Sequence, residues 1–78
     1  MYPVVKSVRS DDNYRLKVVF DNGETRTLDM SKYLDFGVFK RLKDPKVFRK
    51  VHVSFDTIEW DSGVDIDPEF VYAKSIKD

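Results

Sequence analysis

The segment Tyr14-Arg15-Leu16-Lys17-Val18-Val19-Phe20, with Asp21-Asn22-Gly23-Glu24 directly behind it, constrains this chain more than any other stretch. Side chains of a strand alternate between two faces, so Tyr14, Leu16, Val18 and Phe20 share one face while Arg15 and Lys17 take the other. Asn-Gly is favoured where two successive residues adopt positive φ, which predicts a type I′ hairpin turn at Asn22-Gly23. Residues 24–29 then return antiparallel with Leu28 inward. Upstream, Pro3-Val4-Val5-Lys6-Ser7-Val8 is short and β-branched and ends in the polar run Ser10-Asp11-Asp12-Asn13, so it reads as a third strand. The chain opens as an antiparallel meander whose second face is left to solvent.

The period then changes. Leu34, Val38 and Leu42 recur at four-residue steps with Phe39 beside them, which predicts one or two helical turns between Ser31 and Leu42, broken near Asp35-Phe36-Gly37. Asp44-Pro45 pairs a capping residue with proline at the first helical position and carries Val47 and Phe48 inward. Strands resume where Val51, Val53 and Phe55 alternate with His52 and Ser54. Thr57-Ile58-Glu59-Trp60 follows and ends at Asp61-Ser62-Gly63, which predicts a second hairpin. Asp67-Pro68 repeats the cap-and-proline signal, with Phe70, Val71 and Ala73 on the inner side of a closing helix. Strands, helical turns, strands and a helix, with no βαβ crossovers, predict a small two-layer α+β domain: an antiparallel meander and a second hairpin, with short helices packed on one face. The 78 residues leave room for one domain, spanning 1–78.

Composition narrows the functional classes. Fourteen Lys plus Arg balance fourteen Asp plus Glu, so the molecule as a whole has no pull toward nucleic acid or anionic lipid. Cysteine is absent, which removes disulfides and thiolate metal sites and points to the reducing cytoplasm. No window has the roughly 20 apolar residues of a membrane span, and residues 1–6 do not open a secretory signal. A chain this short gains from self-association, so a homodimer is among the expected states.

The single histidine, His52, falls at an outward strand position and reads as solvated rather than as a general base. Asp56, Glu59, Asp61, Asp65, Asp67 and Glu69 form an acidic stretch with no Lys or Arg between Lys50 and Lys74. Asp61, Asp65 and Asp67 mark its candidate surface. Carboxylates at this density suit a divalent cation or acid–base work, but Asp61-Ser62-Gly63-Val64-Asp65-Ile66-Asp67 lacks the ligand pattern of a calcium loop. The expectation is a solvated rim with no metal, no cofactor and no catalytic residue. Lys40, Arg41, Lys43, Lys46, Arg49 and Lys50 form the basic counterpart, a candidate surface for a partner or for phosphate backbones. No nucleic-acid motif or interleaved exposed aromatics accompany it, so a protein partner is favoured over nucleic acid. Trp60 reads as the largest piece of the core, with its indole N–H on a nearby acceptor, rather than as a pocket wall.

The order Leu16-x-Val18-x-Phe20-x-Asn22-Gly23-Glu24, Leu28-Asp29, Gly37-x-Phe39-x-x-Leu42-x-Asp44, Phe48, and Ile58-x-Trp60-x-x-Gly63-x-Asp65-Ile66-x-Pro68-Glu69 resembles a bacterial family of domains of unknown function, DUF2442. The resemblance spans nearly the whole chain. It implies a small α+β bacterial protein, sometimes joined to a helix-turn-helix domain and often encoded beside another small protein, in the manner of a toxin–antitoxin pair. It carries no catalytic residue over to this sequence. The reading is therefore of a non-enzymatic protein-interaction module, with nucleic-acid binding by the Lys40–Lys50 segment as the alternative and a carboxylate–metal protein as the third.

Overall fold

The computed structural model describes residues 3–78 and builds two antiparallel sheets joined by short helices around one core. The meander is present as β1 (Val5–Ser10), β2 (Arg15–Phe20) and β3 (Thr25–Asp29), and a two-residue strand, β7 (Ile76–Lys77), closes its far edge on β3. The second hairpin consists of β4 (Val51–Ser54) and β5 (Thr57–Trp60), to which β6 (Asp65–Ile66) adds a third strand. The free edges of the two sheets run alongside one another, and the Val5 N–H donates to the Asp56 carbonyl at 3.0 Å. Each edge thereby shields the other from foreign strands.

The expected alternation holds in β2, where Leu16, Val18 and Phe20 are fully buried and Arg15 and Lys17 are exposed. Tyr14 departs from it. It precedes the strand in a left-handed conformation (φ 60°), packs its ring edge-on against Phe48, and donates its hydroxyl to the Lys43 carbonyl. The Asn-Gly turn also differs from the expectation, because Gly23 alone of its residues has positive φ (88°). The Gly23 N–H returns to the Phe20 carbonyl (3.0 Å) and the Phe20 N–H reaches Glu24 (2.9 Å), which is a three-residue loop with a glycine bulge rather than a type I′ turn. Asn22 holds the exit by accepting from the Glu24 N–H.

The helical middle is tighter than four-residue steps predict. Met30–Lys32 and Gly37–Lys43 are 3₁₀ helices, separated by the expected break. With three residues per turn, Phe39 and Leu42 share a face and Val38 does not. Leu42 is buried, Phe39 is half-buried, and Val38 is exposed where the four-residue step placed it inward. Helix α1 (Pro45–Phe48) begins as expected, with the Asp44 carboxylate accepting from the Lys46 N–H at 2.9 Å. Helix α2 (Pro68–Lys74) is capped by Asp67, whose carboxylate accepts from the Phe70 N–H at 2.7 Å. Val71 is its buried residue, Phe70 is half-buried, and Ala73 is exposed rather than inward. Asp67→Ala removes the cap and is expected to lower stability by about 1 kcal/mol, read as the shift of a urea unfolding midpoint at constant slope.

Trp60, Phe20 and Phe48 are the largest fully buried side chains. The Trp60 indole N–H donates to the Phe48 carbonyl at 2.9 Å, as a core tryptophan requires. On the far side of the core, Phe20 meets Tyr72 edge-on, and the Tyr72 hydroxyl donates to Glu24 at 2.7 Å.

Candidate functional site

The basic segment does not form one uniform patch. Lys40, Arg41, Lys43, Lys46, Arg49 and Lys50 are all exposed, along the second 3₁₀ helix, α1 and the two residues that follow α1. Lys43 pairs with Asp35 at 2.6 Å, and this contact holds the Asp35 carboxyl below its ordinary range, with Lys40 adding to the effect. Arg49 lines a recess of about 260 Å³ with Asp11 and Asp12. The Lys43 charge is thus answered within the chain, by an exposed pair that contributes little to stability.

The acidic stretch separates into two places. Asp61 stands with His52 and Glu59 on the β4–β5 hairpin, where His52 Nε2 lies 3.0 Å from Glu59 and Nδ1 lies 3.2 Å from Asp61. His52 is therefore half-exposed between two carboxylates, and the expectation of a merely solvated ring is corrected: Glu59 faces it across the hairpin and Asp61 follows the strand end. The two acids occupy different ring nitrogens, so they do not converge on one ligand position. Among the described residues, no group of three or more His, Cys, Asp or Glu side chains could hold a metal ion.

Asp65 and Asp67 lie elsewhere, at an open groove of about 420 Å³ between the second 3₁₀ helix, β5, β6 and α2. Its walls are Phe39, Ile66, Pro68 and Phe70, and Thr57 forms its floor side by donating its hydroxyl to the Ile66 carbonyl. Asp67 is half engaged as the α2 cap, whereas the Asp65 side chain accepts no hydrogen bond among the described residues. The volume lies within the roughly 300–1,000 Å³ of clefts that take ligands or side chains.

Exposed apolar side chains flank the groove along the chain. Phe36 (65% exposed) and Val38 (56%) precede Phe39, and Phe55 (98%) precedes Thr57 by two residues. Phe55 corrects the sequence reading, which set it inward with Val51 and Val53. Because Ser54 pairs with Thr57, the hairpin has a two-residue turn, and both of its residues have positive φ: 49° at Phe55 and 68° at Asp56. This is the type I′ pattern that the sequence suggested for Asn22-Gly23. Its signal was spacing rather than composition, since exactly two residues separate two β-rich runs.

The family model described as a protein of unknown function, DUF2442, matches residues 5–77. The chain belongs to the DUF2442 family. No curated protein and no solved structure matches it. Within the DUF2442 chain, Phe39, Asp65, Ile66 and Pro68 are among the residues that carried the resemblance, and all four line the groove. No helix among the described residues is long and apolar enough to cross a membrane.

Surface carboxylates give this DUF2442 chain a defined acid response. Hydrogen bonds hold several of them below their ordinary values, among them Glu24 through Tyr72 and then Asn22, Asp29 through Ser31, and Asp78 through Lys17 and then Thr27. The folded state then binds fewer protons than the unfolded chain in acid. The stabilisation is complete above the ordinary carboxylate values of about 3.9–4.3 and is lost as pH falls through them and through the lower folded values. Tyr72 shifts the opposite way, because its hydrogen bond to Glu24 favours the neutral phenol. Its contribution disappears above roughly pH 10. Thermal midpoints measured across pH should be flat between about 5 and 9, and should fall on both sides.

Proposed function

We propose that this DUF2442 protein acts by binding another small protein rather than by catalysis, through the Phe55 turn, the exposed Phe36 and Val38, and the groove between Phe39 and Phe70. Phe55 carries the reading. A bulky residue in the left-handed region costs about 1–2 kcal/mol of backbone energy, and at 98% exposure the ring returns nothing to the core. The type I′ turn requires the left-handed conformation but not a phenylalanine in it, and a strained residue that the turn itself does not call for is a mark of a functional position. Exposed phenylalanines that neighbour the groove's Phe39 and Thr57 in the chain suit a contact surface, since aromatic anchors dominate binding at interfaces. The family resemblance supplies the type of partner: a small protein encoded nearby, with this chain as the antitoxin-like member of a two-protein bacterial system in the cytoplasm.

The test is affinity capture from a lysate of the source organism with the tagged chain and with its Phe55→Asn variant, quantified by mass spectrometry. The reading expects one protein retained at near-stoichiometric yield by the parent and depleted with the variant. Equal recovery with both would sink it, as would an eluate containing only the tagged chain.

A further inference from the structure

We infer that the groove between Phe39 and Phe70 receives a basic peptide segment of the partner, one that seats an apolar side chain against the walls and places a Lys or Arg beside Asp65. This inference rests on the interaction-module reading and gives the chemistry of what binds. Three observations lead to it.

First, the groove wall is apolar and aromatic, formed by Phe39 and Phe70 with Ile66 and Pro68 between them. Aromatic faces attract Lys and Arg cations as well as apolar groups. Second, the only charged side chains lining it among the described residues are carboxylates, Asp65 and Asp67. The Asp67 cap leaves its second oxygen unassigned, and the Asp65 carboxylate is exposed with no protein partner among the described residues. Third, no Lys or Arg lines the groove among the described residues. The segment from Val51 to Ala73 contains no Lys or Arg. On the Phe39 side, Lys43 is paired with Asp35, and Lys40 acts on that same carboxylate. An acidic segment would bring like charge up to two carboxylates, whereas a basic one complements them. The groove is open rather than enclosed, which suits an extended segment crossing it more than a small molecule sealed inside.

The test uses the ¹⁵N-labelled full chain and three probes: the acetylated peptide amide Arg-Leu-Arg-Leu-Lys, its counterpart Glu-Leu-Glu-Leu-Glu, and argininamide alone. The basic peptide is expected to shift the amide resonances of Phe39, Thr57, Asp65, Ile66 and Phe70 saturably and more weakly as salt rises. Asp65→Asn should weaken that binding about 2- to 5-fold, the range of one exposed charge pair. Asp65 is exposed and unpaired, so this variant keeps the fold, which its otherwise unchanged spectrum verifies. Equal or tighter binding of the acidic peptide overturns the cation assignment and leaves the interface reading standing. Binding of argininamide as tight as that of the peptide overturns the commitment to a peptide segment. Shifts outside the groove, or none with any probe at millimolar concentration, overturn the groove as the docking site. The reading itself fails separately, through unchanged capture by Phe55→Asn.

Discussion

Trp60→Ala should leave the domain at or near its unfolding threshold at room temperature. Trp60 is fully buried, packs its ring against Phe48 with centroids 5.9 Å apart, and donates its indole N–H to the Phe48 carbonyl. Truncating a buried tryptophan costs about 3–5 kcal/mol through lost transfer energy and the cavity left behind. The orphaned Phe48 carbonyl adds about 1–3 kcal/mol. A domain of this length has a total stability on the order of 4–12 kcal/mol, so the loss consumes much or all of it. Circular dichroism melts should show either no cooperative transition or one lowered by more than about 15 °C, at 4–8 °C per kcal/mol. Trp60→Phe keeps most of the ring and removes only the donor, so its midpoint should fall between parent and alanine variant. A cooperative Trp60→Ala melt within a few degrees of the parent would show that the two sheets do not share the core described above.

Phe55→Asn carries the opposite sign. Asparagine tolerates the left-handed conformation that Phe55 adopts at φ 49°, and a ring 98% exposed takes no packing with it when it leaves. The exchange should raise stability by about 1 kcal/mol and the thermal midpoint by about 4–8 °C. The same exchange removes the most exposed aromatic anchor, so partner retention should fall while stability rises. That divergence separates a contact residue from a structural one, because damage to the fold would lower both. A Phe55→Asn protein less stable than the parent would mean that the turn is not strained as its dihedral angles indicate.

Elements that bury one face and repeat over several residues were legible in the sequence. In β2 the alternation of Leu16, Val18 and Phe20 records burial directly, and Asp44-Pro45 and Asp67-Pro68 mark helix starts by local hydrogen bonding. The two-residue strands β6 and β7 are too short to carry a period, and only the sheet edge beside them makes them strands. The distinction between an α-helix and a 3₁₀ helix around Val38 turned on one residue of phase, which a short segment does not fix. Phe55 looked inward because alternation was continued one residue past the end of β4. The groove was the least visible feature, since Phe39, Thr57, Asp65 and Phe70 are separated along the chain and meet only through tertiary packing. Of the charged residues singled out, Asp65 and Asp67 line this groove, while Asp61 and the basic side chains of the Lys40–Lys50 segment do not.

The most direct test of the account is amide hydrogen exchange of the protein alone and in complex with its captured partner. Binding through the Phe55 turn and the groove predicts slowed exchange confined to residues 36–39, 55–58 and 65–70, with the open face of the β1–β2–β3 meander unchanged. Protection confined to Lys40–Lys50, or spread over the open sheet face, would contradict it and place the contact on the basic segment or on the meander instead.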